Sequence, residues 1–413
     1  MRAAADAFER RLDPALAAPV AVGFSGGGDS LAALLAAKAW ADRCGRPLIA
    51  LTVDHGLQSA SSAWTAFAAQ TAARLGIGFR ALAWEGDKPA TGLPAAARAA
   101  RHRLLAEAAR DAGARVIVLG HTADDILEAE LMRAWGSNLG ALREWSASPV
   151  WPEGRGMFLL RPLLGLRRAA LRAQLAAAGE RWIDDPANSD PAQTRARART
   201  ALAGGGAYEP PVDDPAAAAL AMAIRGEPGG ALGLDRAALA AAPPAAALRV
   251  LGAAMLSAGG GGRPPRGERL AGLLRRLSAP GPVRATLCGA RLIADEAAVM
   301  VVRDAGETAR GGLAPLMLPA GRPVVWDGRI ELCAARAGLS VRPLAGLAAR
   351  LDPAQRRRLQ AAPAAARPAL PVVVGPDGAV SCPMFADGLA LARDLVHMRM
   401  RAACGAISKE PAA

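Results

Sequence analysis

The sequence predicts an α/β fold, a parallel sheet with helices on both faces, followed by a helical and mixed α+β region. Three observations carry this. Up to about residue 200, short apolar runs alternate with longer helical patterns at a spacing of ~30 residues, as βαβ units require. The first apolar run ends in a glycine-rich turn, Ser25 to Ser30, which suits a sharp strand-to-helix junction. Near residue 203 the alternation stops at Ala203-Gly204-Gly205-Gly206 and Glu209-Pro210-Pro211, a linker composition. The expected organisation is one domain over 1–203, a linker over 204–235, a helical region over 236–280 and a mixed α+β domain over 281–405. The tail beyond about 405 is expected to fray.

The elements follow in order. Val20 to Phe24 reads as a buried strand and Leu31 to Arg43 as an Ala/Leu-rich helix starting near Asp29. Leu48 to Val53 is a second strand, with a helix over Ser61 to Leu75. Phe79 to Trp84 and Pro94 to Ala112 form the third pair, Arg115 to Leu119 and Asp124 to Trp135 the fourth. From about 214 to 280 the chain is Ala/Leu-rich with helical spacing, interrupted by Gly259 to Gly262 and the basic loop Arg263-Pro264-Pro265-Arg266. Short β-like runs lie between Val283 and Val302. Two hairpins are expected, Val324 to Ile330 around Asp327-Gly328 and Leu370 to Gly378.

Composition narrows the class. Of 413 residues, 52% are hydrophobic and 21% charged, which excludes a disordered chain. The net charge is +13, and only Lys38, Lys88 and Lys409 are lysines, so the basic side is nearly all arginine. Arginine's planar fork suits phosphates and base edges, which makes an anionic polymer a candidate partner; a general Arg/Ala/Gly/Pro bias accounts for part of the excess. The five cysteines, Cys44, Cys288, Cys333, Cys382 and Cys404, form no CxxC pair, so no zinc knuckle or cluster site is suggested. No uncharged apolar run reaches the ~18–20 residues of a membrane span, and charges interrupt the first turns. The expected location is the cytoplasm.

In parallel sheets, ligands bind at the carboxyl ends of strands. Ser25-Gly26-Gly27-Gly28-Asp29-Ser30 sits there. Its glycines free backbone N–H groups for an anion, and the following helix adds its positive end. No Gly-Lys-Ser/Thr follows, and there is no GxGxxG. Asp29 would repel a phosphate, so it either caps the helix or faces a divalent cation.

This turn resembles the SGGxDS loop of the N-type ATP pyrophosphatases, or PP-loop enzymes, with their adenine nucleotide α-hydrolase-like fold. Four further segments resemble the tRNA(Ile)-lysidine synthetases within that superfamily. They are Val53-Asp54-His55-Gly56-Leu57-Gln58 (VDHGLR), Ala97 to His102 (ARxxRY), Gly120-His121-Thr122-Ala123-Asp124-Asp125 (GHTADD), and Arg161-Pro162-Leu163-Leu164 with Asp184-Asp185-Pro186-Ala187-Asn188-Ser189-Asp190 (RPLL and DPxNxD). The likeness covers roughly residues 15–200. It implies ATP-dependent joining of L-lysine to C2 of the wobble cytidine in a tRNA(Ile) with a CAU anticodon. The C2 oxygen is adenylated first, and AMP and pyrophosphate are released.

The resemblance implies roles by position. Ser25, Gly26, Gly27, Gly28, Asp29, Ser30, Asp54, Arg98 and Arg101 border ATP, with Asp29 holding Mg²⁺. Arg98 and Arg101 share one helix face and can grip the α-phosphate or RNA; a solvated basic face is the plainer reading. His55 is either a nucleotide neighbour or a turn histidine. His121 either reaches the phosphate or is structural. Asp125 and Glu128 hold the incoming lysine, or with Asp124 simply complement a helix dipole. Asp29, His121, Asp125 and Glu128 are the catalytic candidates. Arg195 is assigned to lysine or RNA, with Arg197 and Arg199 alternating beside it. Departures from the pattern are Gln58 for arginine, His102 for tyrosine, Ile126 for glutamine and Ala129 for threonine. Two alternatives stand beside this reading: another PP-loop tRNA-modifying enzyme, and a non-catalytic RNA-binding protein on the same scaffold. Arg263, Arg266, Arg269, Arg275 and Arg276 are expected to grip tRNA phosphates, or merely to solubilise the surface.

Overall fold

The computed structural model describes residues 2–58, 60–137, 142–147, 156–185, 190–191, 193–203, 208, 214–262, 265–385 and 388–411. Pro186 to Ser189, most of the 204–213 stretch, and Arg263 and Pro264 of the basic loop lie outside the described residues. The chain forms two compact units. One comprises 1–146, 157–212 and 408–413; the other comprises 147–156 and 213–407.

The first unit is built on a six-stranded sheet. Its elements are α1 (Arg2–Arg11), β1 (Val20–Gly23), α2 (Gly28–Cys44), β2 (Leu48–Asp54), α3 (Ser61–Arg74), β3 (Gly78–Ala83), α4 (Leu93–Asp111), β4 (Val116–Leu119) and α5 (Ala123–Ala134). Then come β5 (Trp145–Ala147), β6 (Phe158–Leu160), α6 (Arg168–Ala177) and α7 (Thr194–Ala201). The strand order is β3-β2-β1-β4-β6-β5. β1 pairs in parallel with β2 and with β4, so the direction of winding reverses between β1 and β4. Right-handed crossovers place α2 and α3 on one face and α4 on the other. The reversal opens a crevice beyond the carboxyl ends of β1 and β4, where such sheets bind ligands.

The central strands are buried on both faces: Val20, Ala21 and Val22 of β1 and all of β4 are closed to solvent. That explains their unbroken apolar runs. As expected, the helix after the turn starts near Asp29: α2 begins at Gly28, so Asp29 and Ser30 lie in its first turn. One difference from expectation matters. Helix α1, which no motif marked, buries Ala4, Ala7 and Phe8 at helical spacing, and Phe8 stacks on Trp40 of α2 at 5.7 Å.

The second unit contains α8 (Pro215–Met222), β7 (Arg225–Glu227), β8 (Ala231–Asp235), α9 (Arg236–Ala241), α10 (Pro244–Ala258) and α11 (Gly267–Ser278). Strands β9 (Val283–Leu287), β10 (Ala290–Ala294) and β11 (Ala298–Arg303) complete the sheet β7-β8-β11-β10-β9, whose core is shared with α10 and α11. Next come β12 (Leu316–Leu318), β13 (Pro323–Trp326), β14 (Ile330–Ala334), β15 (Leu339–Pro343), α12 (Pro353–Arg358), β16 (Pro371–Val374), β17 (Val380–Ser381), β18 (Ala390–Asp394) and α13 (Val396–Ala403). They form the sheets β12-β15-β16-β17 and β13-β14-β18. Both expected hairpins are present as β13–β14 and β16–β17.

The stretch expected as linker up to 235 is folded from 214 onward. Asp214 caps α8 by accepting from the Ala217 N–H at 3.0 Å, and Pro215 occupies the helix start. Strands β7 and β8 interrupt the expected helical tract because Gly229 and Gly230, at φ +85° and +74°, turn the chain back on itself. Their three to five residues are too few for periodicity to show.

The expected fraying of the tail is also corrected. Residues 408–413 belong to the first unit. The Glu410 carboxylate accepts from Arg46 at 2.7 Å, both side chains 1% exposed, and the Glu410 N–H donates to the Arg11 carbonyl at 2.7 Å. Arg46 also donates to the carbonyls of Asp13 and Ala18. A buried guanidinium stripped of its counter-charge is costly. Glu410→Gln is therefore expected to destabilise the first unit by about 3–5 kcal/mol, measured by denaturant unfolding.

Candidate functional site

The glycine-rich turn joins β1 to α2. Gly26 sits at φ +83°, and a Cβ there would lie 2.6 Å from the Ile183 side chain. The turn is clamped from outside: the Ile183 N–H donates to the Gly26 carbonyl at 2.9 Å, and Trp182 covers Gly28. Inside it, the Ser30 hydroxyl donates to the Gly27 carbonyl at 2.8 Å and accepts from the Ser25 N–H at 3.3 Å. The Ser25 hydroxyl then donates to Ser30 at 3.2 Å. A preorganised turn at a helix start offers N–H groups and a positive dipole end to an anion.

The end of β4 meets this turn. A Cβ on Gly120 would lie 2.5 Å from the Asp29 carbonyl, so only glycine lets the two loops approach. His121 and Thr122 follow. Thr122 and Asp125 form a capping box: one Asp125 oxygen accepts from the Thr122 N–H at 2.7 Å and its hydroxyl at 3.0 Å. This fixes the first turn of α5 and leaves the other Asp125 oxygen facing Arg195, which donates to it.

Around these carboxylates the structure gathers arginines. Arg168, the first residue of α6, is anchored by its N–H donating to Asp124 at 2.7 Å. Its guanidinium donates through Nε to Asp29 Oδ2 at 2.8 Å and through Nη1 to Glu128 Oε1 at 3.0 Å, and lies 3.6 Å from Asp125. Glu128, 1% exposed, also accepts from Arg195 at 2.8 Å and Arg199 at 2.9 Å. Burial pushes its carboxyl up, but the hydrogen bonds from Arg199 and Arg195 outweigh it and leave the net value low. Asp29 goes the other way: burial raises it against the Arg168 hydrogen bond. Among the described residues its second oxygen, Oδ1, is buried with no hydrogen-bond partner.

Beside this cluster lies a cavity of about 700 Å³. His55, Arg98, Arg101, His121, Asp125 and Arg195 line it, with Ala129 and Met132 of α5. Among the described residues Arg98 and Arg101 have no ion-pair or hydrogen-bond contact. Burial, with Arg98 and Arg195 nearby, pushes Arg101 down to about 10. Burial and Arg161 hold the His121 imidazole far below its usual value, so it is neutral, and among the described residues its buried Nδ1 has no hydrogen-bond partner. His55 is likewise lowered by burial and meets Trp84 edge-on at 6.0 Å. Uncompensated arginines beside neutral imidazoles make a cavity that favours an anion.

The structure thus brings together Asp29, Asp125, Glu128 and Arg195 in one ionic cluster, and His55, Arg98, Arg101 and His121 around one cavity. The Ser25–Ser30 turn borders the cluster through Asp29. Asp54 ends β2 and accepts from the Gly56 N–H at 2.8 Å, outside the cavity lining. Arg197 turns to the Pro191 carbonyl. Arg168 was not singled out from the sequence. The available signal was the pair Arg167-Arg168 at a helix start, where cations oppose the dipole and need a local reason.

Residues 3–204 match the PP-loop domain family. Over 411 residues the chain is 49% identical to the tRNA(Ile)-lysidine synthase of Caulobacter vibrioides, spanning 98% of this chain and 97% of that one. This chain belongs to the tRNA(Ile)-lysidine synthase family. The synthase of Hyphomonas neptunium is 48% identical over 48% of this chain and 55% of its own length. Among solved structures, the U34-tRNA thiolase NcsA of Methanococcus maripaludis aligns over 49% of this chain and 72% of its own, at 16% identity and a TM-score of 0.42.

The departures from the expected motif pattern have local homes within this family scaffold. Gln58 donates to Asp185 at 3.4 Å, Ile126 is buried, and Ala129 lines the cavity. His102 is buried on α4, and burial with the nearby Arg101 and Arg98 pushes its imidazole down to about 2. The unfolded chain binds this proton near pH 6.5, the folded chain near 2. Stability is therefore undiminished above 6.5 and falls as the pH drops below it. The loss reaches about 2 kcal/mol at pH 5. His102→Gln is expected to remove that part of the acid dependence, read from denaturant unfolding between pH 4.5 and 7.

Proposed function

We propose that this chain joins L-lysine to C2 of the wobble cytidine of an isoleucine tRNA with a CAU anticodon, using ATP. The observation that carries the reading is that the anion-binding turn and the cavity are walled by one ionic cluster. A nucleotide on the first and a base with an amine in the second would meet there. The cytidine C2 oxygen attacks the α-phosphorus and pyrophosphate leaves. The lysine ε-amine, having lost a proton, then attacks C2, and the C2–O bond breaks with departure of AMP.

Each group has a task. The turn from Ser25 to Ser30 holds the phosphates on N–H groups and hydroxyls. Arg98 and Arg101 face the negative charge that builds at the α-phosphate. Neutral His121 can donate one hydrogen bond and accept another without bringing a charge. Asp125 and Glu128 are the anions available to the amine, whose ordinary pKa of ~10.4 means that it arrives protonated. The donor set fits Mg²⁺: Asp29 offers a buried, unpartnered carboxylate oxygen beside the turn, and Mg²⁺ commonly takes one or two carboxylates with substrate phosphates. When bound, it would neutralise phosphate charge.

The reading is tested by incubating the protein with ATP, Mg²⁺, radiolabelled lysine and the CAU isoleucine tRNA. Base-stable label in RNA, dependent on ATP and absent with a methionine tRNA, is expected. Pyrophosphate release without label would move the chemistry to another acceptor. Neither, from folded protein that binds tRNA, would leave an RNA-binding scaffold. Asp29→Asn is expected to cut the rate by about 100-fold or more, the scale of losing one preorganised transition-state contact, while tRNA binding persists.

On the second unit, α11 buries Leu270, Leu273 and Leu277 and exposes Arg266, Arg269, Arg275 and Arg276 around it. These arginines suit phosphate contacts with the tRNA body. Reversing Arg275 and Arg276 to Glu is expected to weaken tRNA binding and flatten its salt dependence with ATP binding unchanged; an unaltered tRNA affinity would rule the contact out.

A further inference from the structure

The carboxylates assigned to the amine are not open. Asp29, Asp125 and Glu128 carry three negative charges, and Arg168, Arg195 and Arg199 meet them with three positive ones. An ammonium entering the cavity finds the oxygens of both Asp125 and Glu128 engaged: Asp125 by Arg195 and the Thr122 cap, Glu128 by Arg168, Arg195 and Arg199. To bind, it must displace a guanidinium. Among the described residues, Arg168 is the one side chain that touches Asp29 on the turn and also reaches Glu128 and Asp125.

We propose that Arg168 is a positioning residue that couples the two halves of the site, filling the amine subsite until a polyanion on the 25–30 turn draws it away. A phosphate chain beside Asp29 is a stronger partner for a guanidinium than carboxylates already shared among three arginines. Movement of Arg168 toward it leaves three carboxylates, Asp29, Asp125 and Glu128, facing two arginines, and frees Glu128 Oε1 of one guanidinium; an incoming ammonium there restores the balance. The nucleotide therefore binds first and lysine second. By linkage, each ligand tightens the other by the same factor. The inference rests on the lysine-joining reading above, and adds an order and a cause to it.

The test needs binding alone, without tRNA or turnover. Radiolabelled lysine is titrated by equilibrium dialysis with and without saturating α,β-methylene ATP and Mg²⁺. The wild-type chain is expected to bind lysine at least 10-fold more tightly with the nucleotide, and saturating lysine to tighten the analogue by an equal factor. Arg168→Met removes the plug and leaves the cluster short of one cation, so lysine is expected to bind without nucleotide and the coupling factor to fall toward one. Arg168→Lys, which keeps the charge, is expected to restore part of it. A merely structural role would lower both affinities and leave their ratio unchanged. Equal lysine affinity in the wild type with and without the analogue overturns the inference while the lysine reading stands. If Arg168→Met fails to fold, the two reciprocal wild-type factors still decide. Absence of lysine binding in every condition, with analogue bound, overturns the lysine reading itself.

Discussion

The Arg168 guanidinium, held between Asp29 at the start of α2 and Glu128 in α5, is the contact on which the site depends. It spans the point where the sheet reverses its winding, and it joins loops that follow two different strands. Glycine at 120 makes the approach possible, because any side chain there would strike the Asp29 carbonyl. The clamp of Trp182 and Ile183 on the turn holds the other side. Without these contacts the carboxylates would repel one another across the crevice.

Charge balance then explains the mixture of open and closed groups. Carboxylates and arginines in the cluster neutralise one another in the free chain. Arg98 and Arg101 across the cavity do not, and burial with mutual repulsion weakens Arg101's hold on its proton. The imidazoles beside them stay neutral. The whole is a site whose electrostatic deficit is made good by an anionic ligand, which agrees with an ATP-using family. Removing any single member shifts this balance, so effects at neighbouring residues will not add.

Away from the crevice, stability is distributed unexpectedly. The last described residues belong to the first unit, and Glu410 completes the shell of a buried arginine far away in sequence. The second unit carries no catalytic constellation among the described residues. Its contribution is a separate core shared by sheet and helices, and the arginine-rich outer face of α11.

How much was legible divides along physical lines. The parallel sheet, its four central strand–helix pairs and the Ser25–Ser30 turn were readable, because buried strands and tight glycine-rich turns impose local composition. The motif segments containing Arg98, Arg101, His121, Asp125 and Glu128 were readable by resemblance. Helix α1 was obscured by its flanking charges, and strands β7 and β8 by their brevity. The return of Glu410 to Arg46 joins residues 364 apart, which no local pattern encodes. Arg168 was missed for the same reason: its meaning lies in three carboxylates brought to it by other elements. The sequence by itself determined the local conformations and the types of chemistry on hand. Only the tertiary structure decided which charges meet, because pairing depends on distances set by the packing of distant segments.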